Sequence, residues 1–450
     1  TAWPTGLGVN SKYANPGFVS TSNLHVNSSF ICSGIAPNVG ITTDMDNQSR
    51  GGTTTIGADE ATAVTNDLGI DSLLSPATLS ITPGVMDIRV RVRNTGSNSL
   101  ISGNVNLVLN GTPTTLPLPG TLAPCDTVTI TFPAQTFIAG FNTMLIYTSA
   151  PNASADNNTS NDSLYNLYCS SIAGTFTIDK TSPIGPTNFP SIASAINAIY
   201  SCGISGPVTF NILSGTGPYN EQNIFNGVVP GSSPTNTITI DGGATKETVQ
   251  FQGPSQGSAH VFRLIGAKWI TLKNMTVKTL DPNWGTAFQL SNGSDSNTVK
   301  GNNIIITGAM TDTRNCGIAL NGLGTTPTTF PTSVANISDY NTIDSNTITG
   351  GYYAIVSIGW SNSTGSQAES NIITNNICTG MYQYGCYMYY QHGLKFNGNT
   401  LTMSPSAVIS NYGLFAYYWD GFEFKRNKIN NAGTYGVYFL SPGQAGGFNG

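Results

Sequence analysis

Eight carboxylates in the C-terminal part of the chain have side chains suited to acid–base work or to holding a hard cation: Asp281, Asp295, Asp312, Asp339, Asp344, Glu369, Asp420 and Glu423. Cleaving an acidic sugar polymer would need several of them on one outer face, beside a basic group. Arginine in this region is limited to Arg263, Arg314 and Arg426. The spacing predicts that the acids do not recur at one register and that most sit at turns, where aspartate caps the backbone. His25, His260 and His392 are isolated in sequence, so a metal or nucleophile site lacks a second member. Asp44-x-Asp46-Asn47 has the pattern of a calcium loop, and a closing turn explains the same residues. The expectation is therefore no catalytic site and no cofactor, with Asp44, Asp46 and Asn47 as the one candidate for a structural calcium.

Aromatic residues offer a different chemistry. Tyr387, Phe415 and Tyr438 occupy the outward position between two core residues in successive repeats, where Ala319 stands in an earlier one. Stacked, they would lay an aromatic ladder on the surface. Such a ladder either stabilises the stack itself or presents a surface to a glycan or a protein. Tyr384, Tyr389, Tyr412 and Tyr435 crowd the same region.

The elements that would position these rings repeat seven times after Phe262. Each repeat opens on a small residue and an alternating apolar run, as in Gly317-Ile318-Ala319-Leu320 and Gly413-Leu414-Phe415-Ala416. A polar turn, a second apolar run and an asparagine follow. Strand-like alternation recurring at this interval marks a solenoid whose coils share one core, here a parallel β-helix. Asn274, Asn302, Asn346, Asn376, Asn399 and Asn427 fall at or beside one corner of six consecutive coils. Asparagine tolerates the left-handed backbone of a tight corner, and amides stacked in register can hydrogen-bond along the axis.

Composition agrees. Only 9% of the 450 residues are charged and 51 are glycine, so Ser, Thr and Asn supply the polarity, as in extracellular β-rich proteins. A net charge of −5 without a basic cluster argues against a nucleic-acid partner. No apolar stretch approaches the length of a membrane span. Of seven cysteines, Cys378 and Cys386 fall at inward positions and read as small core residues. Cys125 and Cys169 are the candidate bridge, and Cys32 has no evident partner.

Three segments follow from the pattern. Residues 1–65 are loop-rich, with Thr43-Asp44-Met45-Asp46-Asn47 and Ile56-Gly57-Ala58-Asp59-Glu60 near their end. These motifs resemble the closing segment of secreted β-helix proteins of the Bacteroidota, which implies the C-terminal end of an upstream β-helix. Residues 66–172 alternate as short strands: Ile88, Val90 and Val92 are interleaved with Arg89, Arg91 and Arg93, whose side chains should share a solvent face. Asp67-Leu68-Gly69-Ile70, Leu122-Ala123-Pro124 and Asp156-Asn157-Asn158 resemble the CARDB domain, an immunoglobulin-like sandwich that implies a spacer or adhesion module. Residues 173–450 form the β-helix, opened by a helix with Phe189, Ile192, Ala195, Ile196 and Ile199 on one face that would cap the first coil. This opening resembles the pectinesterase and pectate-lyase-like β-helices, whose catalytic motifs are not found in the repeats. The repeat stops at Gln444–Gly450 without a cap, so the chain reads as a piece of something longer.

The fold class is thus all-β: a right-handed parallel β-helix plus a CARDB-type sandwich. The order of modules resembles the giant surface adhesins of gliding Bacteroidota exported by the type IX secretion system, including appendages that catch prey. That resemblance implies an extracellular, non-catalytic adhesive segment. Its partners would be glycans or proteins of other cells, and further copies of itself in an appendage. Asp71-Ser72-Leu73, Asp126-Thr127-Val128 and Asp162-Ser163-Leu164 match the O-glycosylation acceptor of that phylum, which implicates Ser72, Thr127 and Ser163. The alternatives are a β-helix polysaccharide lyase or esterase, and a passive glycan-binding module.

Overall fold

The structure is a computed structural model that describes residues 18, 23–26, 32, 35–61, 64–138, 140–182, 187–255, 258–363, 365–405 and 411–441. The uncapped end expected at Gln444–Gly450 lies outside them. Two compact units divide the chain at Ser170 and Ser171.

In the first unit, Ile35–Pro37 pairs antiparallel with Thr53–Thr55 in the segment expected to close an upstream solenoid. The rest is two antiparallel-dominated sheets. One has three strands, Leu68–Ser75, Gly84–Asn94 and Thr127–Phe137; the other has five, with Gly140–Ser149 between Asn104–Leu109 and Ser163–Ser170. Alternation decides which side chains go inside: Ile88, Val90 and Val92 are fully buried against Phe132, Leu107 and Ile146. Two of the interleaved arginines turn to one acid, with Arg91 Nε and Arg93 Nη2 lying 2.5 and 2.6 Å from Asp71. The expected Cys125–Cys169 bridge is not formed. Cys125 lies in a turn at the edge of the three-stranded sheet, whereas Cys169 is on a strand of the other sheet, and Cys125 is bonded to Cys32 instead.

The second unit is a parallel β-helix of three long sheets. Successive coils contribute one strand to each sheet, and the pairings from Ile204–Ile212 onward are parallel, in register but for a shift between Thr379 and Met381. All seven repeat openings lie in the third sheet, where Phe262, Phe288, Ile318, Ile355, Cys386, Leu414 and Val437 are consecutive partners. Like residues therefore form columns. Val277, Ile304, Ile348, Cys378 and Leu401 make a buried column on the second sheet, and the Phe262 and Phe288 rings stack at 5.3 Å. At Gly317, Gly385 and Gly413 the glycine that opens the repeat has a steric cause: a Cβ on Gly385, for one, would lie 2.3 Å from the Gly413 carbonyl oxygen. Cys378 and Cys386 are buried and free, as the pattern predicts.

The helix Ile192–Cys202 follows the first strand and buries Ile192, Ala195, Ile196, Ala198 and Ile199. Ser191 and Ser194 form a reciprocal cap at its start. The Glu221 carboxylate accepts the next two free N–H groups, from Ile192 and Ala193, at 3.0 and 2.9 Å. The helix packs on strands Ile172–Ile178 and Asn223–Asn226.

Candidate functional site

The asparagines place everything else, because they fix how each coil turns. Asn302, Asn346, Asn376 and Asn399 are fully buried. Each Oδ1 accepts the backbone N–H of its counterpart one coil earlier: Asn302 to Asn346 at 3.0 Å, Asn346 to Asn376 at 3.0 Å, Asn376 to Asn399 at 3.0 Å, and Asn399 to Asn427 at 2.9 Å. Each Nδ2 donates backwards to a carbonyl, as Asn376 does to Ile343 at 2.9 Å. Every polar atom of the corner is thereby matched inside an otherwise apolar core.

Asn274 is not part of this column. Met275 occupies the equivalent place and gives its N–H to Asn302, while Asn274 reaches out to Asp241 at 3.0 Å. The left-handed residue also lies one position earlier than the amide: Asn274, Gly301, Ser345, Asn375, Gly398 and Arg426 all have φ between 54 and 68°. The ladder asparagines serve by their amides rather than by tolerance of positive φ.

A second corner repeats the device. Asn297 accepts from Ile270, Asn341 from Asn297 and Asn371 from Asn341, at 3.0, 2.9 and 2.8 Å. Ahead of it, Trp269, Ser296, Tyr340, Ser370, Gly393 and Gly421 take the left-handed backbone. The residues just before those are Lys268, Asp295, Asp339, Glu369, His392 and Asp420, so six ionisable groups of consecutive coils share one register. This corrects the expectation that the acids would not recur at one position. Lys268 pairs with Asp295 at 2.7 Å. Asp295 and Asp339 each accept the N–H of the acid one coil on, at 3.0 and 2.8 Å. His392 Nδ1 hydrogen-bonds Asp420. Burial, with the charges of Asp295 and Glu369, pushes Asp339 up to about 6 against the Glu369 N–H. The hydrogen bond to Asp420 raises His392 above its ordinary value.

The aromatic face lies on the outside of the third sheet. Tyr387 stacks on Phe415 at 5.3 Å and 15°, and Phe415 on Tyr438 at 5.3 Å and 26°. A second column runs beside it, Tyr353, Tyr384, Tyr412 and Tyr435, with centroids 5.4, 5.4 and 5.8 Å apart. Edge contacts such as Tyr384 on Tyr387 at 4.9 Å join the two columns. Tyr384, Tyr387, Tyr412, Phe415 and Tyr438 are half-buried, so each ring has an edge or face in water. Burial, then the neighbouring Tyr352 and Tyr412, pushes the Tyr384 phenol up to about 12, so it stays a neutral hydrogen-bonding group.

Earlier coils fill the same two positions differently. Where Tyr387 stands, they carry Arg263, Gln289, Ala319 and Val356; where Tyr384 stands, His260, Thr286, Cys316 and Tyr353. A loop meets two of these, Arg263 and Gln289, which donate to the Gly324 carbonyl, and it reaches the tyrosine-bearing coil as well, where Phe330 packs edge-on against Tyr389 at 5.6 Å. His260 is buried, and desolvation, with the charge of Arg263, lowers it to about 3, so it is neutral.

The remaining sequence candidates are scattered. Thr127 and Ser163 are exposed at strand starts, whereas Ser72 is half-buried within a strand. Asp44, Asp46 and Asn47 form a turn rather than a converging ligand set: Asp44 Oδ1 accepts from Asp46 and Gln48 at 2.8 Å each, and Oδ2 from Glu60 at 3.0 Å. Asn47 supplies positive φ, 65°. In the sandwich Asp67, Asp156 and Asp162 converge, and burial, followed by the charges of Asp156 and Asp67, pushes Asp162 up to about 7.

No protein-family model and no curated protein matches the chain. Among solved structures it is similar to a domain of a putative cell surface protein from Methanosarcina acetivorans, at 23% identity over 24% of this chain and 93% of that one, TM-score 0.21. A CARDB domain from Pyrococcus furiosus in complex with di-metal ions matches at 19% identity, 24% and 91% coverage, TM-score 0.21. An alginate lyase from Paenibacillus matches at 11% identity, covering 58% of this chain and 98% of that one, TM-score 0.33.

Proposed function

We propose that the chain is a non-catalytic, adhesive segment of a secreted cell-surface protein, in which the solenoid is the rod and its aromatic face is the contact. Two columns of stacked rings on one outer sheet, half-buried or exposed from Tyr384 and Tyr387 onward, carry the reading. Stacking holds them in place, so little side-chain freedom is lost on contact, and each still offers an apolar surface with a polar tip, which suits a glycan or a protein of another cell. The parent is read as a giant Bacteroidota adhesin or prey-catching appendage of the type IX secretion class, extracellular, with copies able to associate.

The test is a Tyr387→Ala, Phe415→Ala, Tyr438→Ala variant on a glycan array and in cell adhesion, with circular dichroism to verify the fold. Loss of binding with the solenoid intact supports the reading. Unchanged adhesion reduces the ladder to packing.

The ionisable column favours one other reading, a polysaccharide lyase or esterase, because an acid held near 6 suits proton transfer. Against it, Asp295 and Asp339 spend an oxygen each on the backbone of the next coil. Sugar cleavage abolished by Asp339→Asn would reverse that judgement.

A further inference from the structure

We infer that His25, Asp46 and Asp59 hold a divalent cation of the zinc class. One ligand atom from each lies within 4.8 Å of the others. The sequence conceals the set, since His25 and Asp46 are 21 residues apart and Asp59 belongs to a different turn.

Two independent observations point to a cation. Asp59 is only 5% exposed; its Oδ2 accepts the Val26 N–H at 2.6 Å, while its Oδ1 is shut off from water and accepts no hydrogen bond from the described residues. A buried carboxylate oxygen without a donor is costly, and a metal ion removes that cost. His25 supplies the other. Its Nδ1 meets Asn23 Oδ1, and its Nε2 meets Asp46 Oδ2 at 2.5 Å. Neutral imidazole has a single N–H, so it cannot serve both acceptors. With the proton on Nδ1, held by the Asn23 oxygen, Nε2 turns a bare lone pair toward Asp46 and Asp59. A metal-binding histidine is usually oriented in this way by its second nitrogen. An imidazolium would serve Asn23 and Asp46 but would leave Asp59 Oδ1 with no partner.

Ligand chemistry selects the ion. One imidazole and two carboxylates suit zinc, whereas calcium takes six to eight oxygens. Asp44 is not a ligand, because both of its oxygens are occupied by backbone N–H groups. His25 and Asp46 are 44% and 40% exposed, which leaves room for water to complete the tetrahedron. The ion would clip the His25 segment to the turns that carry Asp46 and Asp59.

The test uses the whole chain, stripped with EDTA and titrated with Zn²⁺ and separately with Ca²⁺ by calorimetry, while ring-labelled histidine is followed by NMR. The chain has three histidines, so the spectrum is simple. One equivalent of Zn²⁺ should bind more tightly than about 1 µM. It should shift a single imidazole, the one whose signal is lost in His25→Gln. Asn23→Ala should weaken binding by about tenfold to a hundredfold, Asp59→Asn by at least as much, and Asp162→Asn, in the other acidic cluster, not at all. No stoichiometric zinc, a shift of His260 or His392 instead, tight binding of Ca²⁺ in place of Zn²⁺, or binding that survives both His25→Gln and Asp59→Asn overturns the site. The wild-type NMR titration decides even if a variant fails to fold.

Discussion

The asparagine columns and the aromatic columns arise from the same in-register stacking, yet they face opposite ways and have opposite tolerances. Inside, each amide of the column that runs from Asn302 to Asn427 is matched with its neighbours above and below, so a change at one rung takes hydrogen bonds from two others. Outside, the same registers run from His260 and Arg263 through Cys316 and Ala319 to tyrosine and phenylalanine without disturbing the ladder. A column fixed by hydrogen bonding maintains the architecture; a column free to vary is where a recognition surface can be written.

The sharpest way to break this contrast is Asn376→Ala. It leaves the Asn346 N–H unpaired in the core and takes a second donor from the Ile343 carbonyl, at about 1–3 kcal/mol for the stranded group and about 1 kcal/mol for the other lost bond, so urea unfolding should show a loss of about 2 kcal/mol or more. Asn274→Gly, which keeps the left-handed corner but removes an amide outside the column, should cost under about 1 kcal/mol. Equal losses for the two would end the distinction.

Phe415→Ala comes next. Its ring stacks on Tyr387 and Tyr438, and aromatic pairs contribute about 0.5–1.5 kcal/mol each beyond area. A loss near 2 kcal/mol is expected, with Phe415→Tyr close to neutral; a larger loss than at Asn376 would invert the comparison.

The ionisable column gives a weaker signal with a sign. Asp339 holds its proton up to about 6 when folded but to only about 4 in an unfolded chain. Between those values the folded state binds more protons, so its contribution falls as pH rises. Asp339→Asn should flatten that slope and raise the unfolding midpoint at pH 7, as read by thermal melts across pH. His392 works the other way in charge type: with its folded value raised, its stabilisation is fully present below about 6.5 and fades as pH climbs through the folded value. His392→Gln should lower the midpoint slightly at pH 5.5 and not at pH 9, an effect within about 1 kcal/mol for so exposed a pair.

The seven apolar openings could be read from sequence because strand alternation and a small first residue leave a periodic trace. Five of the six asparagines could too, and Asn274 misled because the left-handed residue of the corner and the amide that follows are both asparagine in some coils, as at Asn375-Asn376. The second corner was written as plainly, in Asp295-x-Asn297, Asp339-x-Asn341 and Glu369-x-Asn371. Its charged rung changes type from Lys to Asp, Glu and His, so the column is defined by backbone position and leaves no repeat of residue identity. The Cys32–Cys125 bond, with a separation of 93 residues, and the gathering of His25, Asp46 and Asp59 depend on long-range folding that leaves no local pattern.

Because each rung of the amide ladder engages only the coils immediately before and after it, tandem duplication of a single coil-encoding stretch would insert a new storey whose polar groups find partners at once. A lineage could lengthen the rod, or multiply its ring-bearing storeys, by recombination alone, with no compensating change elsewhere in the gene.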